Sequence, residues 1–166
     1  MNQEVIALEA NLILDNKFIP EVWALIMKTK STLDFSFYKA ELPPLKQREK
    51  INLIYQAIFL KKKEGVTIRF LLNREQPLRG VSRYNVAVAT FLKEKNIPCR
   101  FLNDSRCCHA KFIISDRNSF YIGSHNLSRN AVSKNFEAGV IINDTNLGLD
   151  INDRFNSLWD SGKDFI

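Results

Sequence analysis

The order in which helix-like and strand-like stretches follow one another constrains the fold of this chain most strongly. In the first part, apolar residues at helical spacing alternate with short β-branched or aromatic stretches, which predicts helices over 19–30, 44–65 and about 83–95 and strands over 33–40, 66–72 and 99–102. Three strand-like stretches and a last helix then follow, at 109–115, 119–123, 138–143 and about 150–161. This order predicts an α/β fold with a mixed parallel and antiparallel sheet, flanked by helices on both faces. We expect parallel pairing in the first half and antiparallel pairing in the second.

Length and composition are typical of one soluble domain. The 166 residues suit a single domain over 1–166, and 45% hydrophobic residues with twelve Phe suffice for a packed core. Acidic residues interrupt the apolar opening stretch "MNQEVIALEANLILDN", which is not typical of a secretion signal. No apolar run approaches the roughly 20 residues that a membrane span needs. We therefore expect a cytoplasmic protein without a membrane span.

Three cysteines are an odd number, which argues against a disulfide framework. Cys107 and Cys108 directly precede His109, and a zinc site is the alternative to consider. Their spacing lacks the C-x2-C pattern, and no second pair of ligands follows. We therefore expect no metal and no cofactor, and interpret the two cysteines as small apolar residues at the start of a strand.

The stretch "HAKFIIS" places two basic groups on an otherwise apolar strand. Its period of two residues puts His109, Lys111 and Ile113 on one face. Burying an imidazole and an ammonium side by side is costly unless they are used. Downstream, "GSHN" supplies the small polar side chains of Ser124 and Asn126.

These residue types are suited to attack on a phosphodiester without a metal. A neutral imidazole is a nucleophile at neutral pH, and a covalent intermediate divides one difficult displacement into two easier ones. The Lys111 ammonium and the Asn126 amide can hold the non-bridging oxygens, where negative charge concentrates. Glu137, on the following strand, can accept a hydrogen bond from the other ring nitrogen of His109 and fix its tautomer.

The stretch "HAKFIISDRNSFYIGSHN" resembles the HxK(x)4D(x)6GSxN signature of the phospholipase D superfamily. Its fixed positions are matched by His109, Lys111, Asp116, Gly123, Ser124 and Asn126. Glu137, in "NFEAGVII", lies where that family keeps the acid that orients its histidine. A pattern with this many fixed positions is far more specific than a lone glycine-rich loop.

The resemblance implies a site shared between two copies of the chain. Short members of this family with one motif, such as small bacterial endonucleases, pair as homodimers. By that resemblance, His109 is the nucleophile and the partner's His109 is the general acid. Lys111 and Asn126 bind the phosphate with support from Ser124, and Asp116 holds the turn after the strand.

Other residues are candidates for contacts with substrate. Gly123 allows close approach of the backbone, and we interpret His125 mainly as a residue that lines the pocket, because neighbours on an extended chain point apart. Arginines that follow a strand or lie near the motif could line a groove for a polyanion, namely Arg74, Arg79, Arg83 and Arg129. Ordinary surface charge explains these arginines equally well.

The function expected from the sequence is that of a metal-independent nuclease acting on DNA or RNA as a homodimer. The formal net charge of +6 favours a polyanionic partner such as nucleic acid. A phospholipid phosphodiesterase of the cardiolipin-hydrolase kind is the alternative enzyme. A module that binds nucleic acid on the same fold without turnover is the alternative outside enzymes.

Overall fold

Eight strands form one mixed sheet in the computed structural model, which describes residues 8–42, 50–74, 80–102 and 107–165. Their order across the sheet is β1-β7-β6-β5-β2-β3-β4-β8. The strands are β1 Glu9–Leu14, β2 Thr32–Phe37, β3 Thr67–Leu72, β4 Cys99–Phe101, β5 Lys111–Ser115, β6 Ser119–Gly123, β7 Ala138–Asn143 and β8 Lys163–Asp164. The pairs β2–β3 and β3–β4 are parallel, and β2–β5, β5–β6 and β6–β7 are antiparallel, as expected from the sequence. The pairs β1–β7 and β4–β8 are also antiparallel.

Helices cover both faces of this sheet. They are α1 Phe18–Lys28, α2 Ile51–Lys63, α3 Val81–Glu94 and α4 Thr145–Ser161. The buried sides of α1, α2 and α3 pack into one large core with the sheet, whereas α4 forms a smaller core on the other face through Phe155 and Trp159. The predicted fold class is confirmed. In the described ranges, no helix is long and apolar enough to cross a membrane.

The elements differ from the sequence prediction mainly at the ends. Helix α4 begins at Thr145 rather than near residue 150, because the Asp144 side chain accepts a hydrogen bond from the Leu147 backbone N–H (2.8 Å) and caps the helix. Strands β1 and β8 were not predicted. In β1 only Ile13 is buried, so its burial pattern carries little of the alternation that marks a strand. Residues 44–49 of the predicted second helix lie outside the described residues.

A buried ion pair fixes α4 to the sheet. Both oxygens of Asp34, which is buried in β2, accept hydrogen bonds from Arg69 on β3 (2.7 Å each). Asn152 on α4 also donates to Asp34 (3.3 Å). The Arg69 guanidinium lies 4.8 Å from the ring centre of Phe155, so one charged pair joins two strands and the helix.

The registers bring several strand ends to one edge of the sheet. Phe37, the last residue of β2, pairs with Leu72 at the end of β3, and Lys111 at the start of β5 pairs with Gly123 at the end of β6. Because β5 is antiparallel to β2, the start of β5 lies beside the end of β2. We call this the site edge, since the segments that carry His109, Ser124 and Asn126 adjoin it.

Candidate active site

His109 and Lys111 form the centre of the site. His109 lies exposed just before β5, and Lys111, the first residue of that strand, is only 4% exposed. The Lys111 Nζ donates to the His109 carbonyl (2.6 Å) and lies 3.1 Å and 3.2 Å from the two ring nitrogens. Burial lowers the pKa of Lys111, and the negative charge of Glu137 opposes that shift. A buried cation therefore lies against an imidazole that is open to solvent.

Glu137 lies close to this pair but is bonded to other side chains. Its carboxylate accepts hydrogen bonds from the Ser124 hydroxyl and from the Asn135 amide (2.9 Å). The Ser124 hydroxyl also accepts from the Ala138 N–H (3.1 Å), which ties the residues after β6 to the start of β7. In this arrangement Glu137 orients Ser124, whereas the sequence predicted a direct bond to His109.

Asn126 is held by the backbone that follows β2. Its Oδ1 accepts a hydrogen bond from the Lys39 N–H (3.0 Å). Since that bond uses the acceptor of the amide, the other polar group of the side chain is the Nδ2 donor. A donor is the group that a phosphate oxygen requires, and phosphate binding by Asn126 stays a prediction.

Asp116 lies at the opposite end of β5 from the site edge. Its carboxylate accepts hydrogen bonds from the backbone N–H groups of Lys30 (2.8 Å), Ser31 (2.8 Å) and Thr32 (3.0 Å), and from the Ser31 hydroxyl (2.8 Å). Burial raises the pKa of Asp116, but these hydrogen bonds outweigh burial and lower it overall. The contacts anchor the segment between α1 and β2 rather than a substrate.

The placement of His125 corrects the expectation that it lines the substrate pocket. Its side chain is completely buried, stacked on Phe18 at a centroid distance of 4.4 Å. The Asp15 carbonyl lies 3.0 Å from Nε2 and can only accept, so Nε2 carries the proton and Nδ1 accepts from the Tyr121 hydroxyl (2.8 Å). Burial lowers the pKa of His125, which favours this neutral form.

Gly123 also differs from the role expected for it. A Cβ at this position would overlap the Tyr121 hydroxyl and lie 2.6 Å from the Ala138 carbonyl oxygen. Gly139, its partner across the strands, is crowded by the same tyrosine ring. The two glycines therefore make room for Tyr121, which in turn holds His125, and the close approach at Gly123 is made by the protein itself.

The predicted arginines are placed in different settings. Arg74 and Arg83 are exposed, near the ends of β3 and the start of α3. Arg129 donates to Glu41 through its backbone N–H (2.9 Å) and its Nε (3.5 Å), so part of its charge is already paired. Arg79 lies outside the described residues.

Two residues beside His109 were missed by sequence reasoning. The ring of Tyr38, which directly follows β2, lies 5.0 Å from that of His109. Arg154 on α4 lines a cleft of about 180 Å³ next to His109, together with Cys107 and Phe112. Tyr38 belongs to the stretch that the aromatic pattern marked as a strand, and no motif marks Arg154.

Metal binding at this site would require several ligand side chains close together. Within the ranges that the structure describes, no three His, Cys, Asp or Glu side chains are grouped so that they could hold a metal ion. Cys108 is buried with its sulfur 3.5 Å from the Ser36 hydroxyl, whereas Cys107 is exposed.

Comparisons with known proteins agree with this geometry. The family model described as "Cardiolipin synthase, PLD-like domain" matches residues 22–159. The virion nicking-joining enzyme of vaccinia virus (strain Western Reserve) is 27% identical over 141 residues, which cover 81% of this chain but only 31% of the viral enzyme. The chain thus spans about a third of the length of that curated relative.

Solved structures share the fold over nearly the whole chain. Nuc from Salmonella typhimurium, a phospholipase D family member, superimposes with a TM-score of 0.78 at 23% identity and covers 95% of this chain and 99% of its own. NucT from Helicobacter pylori gives a TM-score of 0.74 at 16% identity, with 96% and 100% coverage. The family match spans strands β2 to β7, most of the helices and the motif that places His109 beside Lys111. The chain is therefore a member of the phospholipase D-like family.

Proposed function

We propose that this chain is a phosphodiesterase that cleaves nucleic acid through a phosphohistidine intermediate. The observation that carries the proposal is the exposed His109 ring held against the buried Lys111 ammonium. A buried cation beside an open nucleophile is suited to an anionic, electrophilic centre such as a phosphodiester. The formal net charge of +6 favours a polyanion as the source of that phosphodiester.

The reaction would proceed in two displacements. A ring nitrogen of His109 attacks phosphorus, the P–N bond forms, and the P–O bond to the leaving group breaks while a general acid donates a proton to that oxygen. Lys111 and the Asn126 Nδ2 donate to the non-bridging oxygens throughout. Water then attacks phosphorus, the deprotonated acid removes a proton from that water, and the P–N bond breaks to release His109.

The need for a general acid supports a homodimer, in addition to the resemblance to short family members with one motif. The chain has two histidines, and His125 is buried with both ring nitrogens in hydrogen bonds. It is therefore not available to protonate a leaving group. A second copy supplies an equivalent exposed imidazole, the partner's His109, from the other side of the phosphate.

An uncovered part of the sheet supports this pairing. Leu12, Val140 and Ile122 are direct neighbours across β1, β7 and β6, so their side chains share one face. Leu12 is 63% exposed and Ile122 41% exposed, and Leu14 on the same face is 46% exposed. Helix α4 covers the part of this face around Phe112. We call the uncovered part the apolar sheet face and propose that a second copy packs on it.

A phospholipid phosphodiesterase is the second candidate function. The observation that favours it is Phe136, which is 98% exposed beside Glu137 and suits contact with an acyl chain or a lipid surface. A module that binds nucleic acid without turnover is the third possibility, and the same experiment separates the three.

The test is cleavage of end-labelled single-stranded and double-stranded DNA and RNA in EDTA, alongside release of headgroup from cardiolipin vesicles. Wild type is compared with His109→Ala, with Lys111→Met, and with Lys62→Met as a control at a half-buried lysine near the end of α2. We expect nucleic-acid cleavage by wild type and Lys62→Met and none by the other two. Cleavage only of cardiolipin would favour the second candidate, and nucleic-acid binding without cleavage by a folded dimer would favour the third. Loss of wild-type activity on adding EDTA would contradict the metal-independent mechanism.

Mixing experiments address the shared site. If each site needs two copies of His109, exchange of wild type with an equal amount of His109→Ala should give about a quarter of the activity of the same total amount of wild-type protein, whereas independent sites would give about half. A strict monomer in light scattering that still cleaves substrate would refute the shared site.

A further inference from the structure

Two aromatic and two cationic side chains occur on the segment after β2 and in the first turn of α3, and the first of them, Tyr38, lies beside His109. We define the aromatic–cation strip as Tyr38, Lys39, Arg83 and Tyr84. The Tyr38 ring lies 5.0 Å from the His109 ring. Further out, the Lys39 Nζ lies 4.5 Å and the Arg83 guanidinium 5.2 Å from the ring centre of Tyr84.

Hydrogen bonds to two asparagine side chains hold the backbone of the strip after β2. Asn85, which is completely buried in α3, donates to the Tyr38 carbonyl (2.8 Å) and accepts from the Ala40 N–H (2.8 Å). Between these two bonds, the Lys39 N–H donates to Asn126 of the motif (3.0 Å). The segment after β2 is thereby fixed both to α3 and to the candidate active site. A surface held in this way does not need to be ordered when a ligand binds.

The chemistry of the strip is that of a surface that binds nucleic acid. Tyr84 is 37% exposed and Arg83 is exposed, so a flat aromatic ring and a guanidinium face solvent together. Single cation–aromatic pairs are common, about one per 70–80 residues, but here two cations share one ring. Lys39, one of these cations, directly follows Tyr38, whose ring lies beside that of the proposed nucleophile. Lys39 is also paired with Glu41 (2.7 Å). Glu41 stays ionised, because hydrogen bonds from Lys39 and Arg129 outweigh burial and lower its pKa.

The charges near the strip nevertheless favour an anion. Around Glu41 lie the cations Lys39 and Arg129, with Arg83 beyond them at the start of α3, so three cations stand against one carboxylate. The exposed ring lies among these charges. Alternation of cations with aromatic rings is the pattern by which proteins hold a single strand, with phosphates on the cations and bases on the rings.

We propose that the aromatic–cation strip binds a single strand of nucleic acid and guides it to His109, with a base stacked on Tyr84 and a second base on Tyr38. A tyrosine can stack on a base only where the face of that base is free, which excludes a paired and stacked duplex. The inference rests on the proposed function, and it adds the strand form of the substrate and the residues that recognise it.

Binding is measured without turnover, in the full-length protein carrying His109→Ala. Fluorescence anisotropy gives the dissociation constants for a labelled single-stranded DNA of about 12 nucleotides, a length within the site sizes of single-strand binders, and for the blunt duplex of the same sequence. Tyr84→Ala is compared with Tyr84→Phe, which keeps the ring, and with Trp23→Ala. Trp23 on α1 is a matched exposed aromatic residue, since it is 42% exposed.

We expect Tyr84→Ala to weaken single-strand binding roughly 5- to 100-fold, the effect of losing one stacked base. Tyr84→Phe and Trp23→Ala should stay within about twofold of the His109→Ala parent. Lys39→Gln should reduce the slope of log affinity against log salt by about 0.7, as expected for one lost phosphate contact on a single strand. Duplex affinity should change little with Tyr84→Ala.

Two results would contradict the proposal that the aromatic–cation strip binds a single strand. One is a Tyr84→Ala affinity for single strands no weaker than that of Trp23→Ala, with the fold intact by circular dichroism. The other is an equal loss for duplex and single strand. Failure of the proposed function gives a different result. In that case wild-type protein would bind single strands through Tyr84 but would not cleave them.

Discussion

Replacing Asp116 tests whether a residue of the motif acts in folding rather than in catalysis. Its Oδ1 accepts three hydrogen bonds, from the Ser31 N–H, the Ser31 hydroxyl and the Thr32 N–H, and its Oδ2 accepts one from the Lys30 N–H. Asp116 also has a positive φ of 51°, a conformation that Asp and Asn tolerate better than Ala. The substitutions Asp116→Asn and Asp116→Ala therefore remove different parts of the same structure.

The expected losses of unfolding free energy differ between the two variants. Asn keeps an oxygen for the three bonds at Oδ1 but places an amide N–H₂ against the Lys30 N–H, which should cost about 1–2 kcal/mol. Ala removes all four bonds and adds strain at positive φ. Four hydrogen bonds to a charged acceptor would total about 6 kcal/mol at the low end of roughly 1.5 kcal/mol each. Because Lys30 and Ser31 are exposed and water can replace part of what is lost, we expect a smaller loss of about 3–4 kcal/mol for Ala.

Chemical denaturation measures these losses, and the cleavage assay of the proposed function measures their effect on activity. At a temperature where all three proteins are folded, kcat of both variants should stay within about threefold of wild type, since Asp116 touches no group at the site edge. A fall in kcat of more than tenfold in folded Asp116→Asn would refute this reasoning. Equal losses of unfolding free energy in Asp116→Asn and Asp116→Ala would contradict the separate roles assigned to the two carboxylate oxygens.

Two further predictions concern His125 and the apolar sheet face. Burial lowers the pKa of His125 in the folded protein below its value in the unfolded chain. Between these two pKa values the unfolded state binds more protons, so the free energy of unfolding falls as the pH drops below about 6.5. The slope of unfolding free energy against pH between about pH 6.5 and 5 should therefore be smaller in His125→Phe than in wild type, and an unchanged slope would contradict the buried neutral ring. Leu12→Glu should give a monomer in light scattering with lost cleavage, whereas Leu53→Glu, at a leucine of α2 that is 46% exposed, should leave both unchanged; an active, dimeric Leu12→Glu would count against this face.

The sequence predicted the sheet and the pairing of His109 with Lys111 because both depend on local patterns. Alternation and helical spacing mark elements whose faces are buried, and the motif has fixed spacing within two adjoining strands. The edge strand β1 escaped prediction because most of its side chains are exposed, which removes the alternation. Its pairing with β7 depends on residues more than a hundred positions away.

The differences at Gly123 and His125 have a single physical cause, the ring of Tyr121. Spacing along the sequence predicts which residues share a face, but it does not show which large side chain fills the space above a glycine. Tyr121 lies over Gly123 and Gly139 and donates to His125, so the pocket expected at these positions is occupied by the core. No short-range pattern in the sequence links Tyr121 to Gly139, because that contact forms only when β6 pairs with β7.

His125 lies in the core and His109 lies at the surface, and this placement limits which group can protonate the leaving oxygen in the proposed reaction. With His125 fixed in its neutral form beneath Tyr121, His109 is the exposed imidazole at the site edge. In-line displacement places the leaving oxygen on the side of phosphorus away from the attacking nitrogen, so its proton donor must face His109 across the phosphate. Lys111 lies on the same side as His109 and already bonds to it. In the proposed dimer that donor is the partner's His109, and a second copy packed on the apolar sheet face would cover Leu12 and Ile122, whose side chains are exposed.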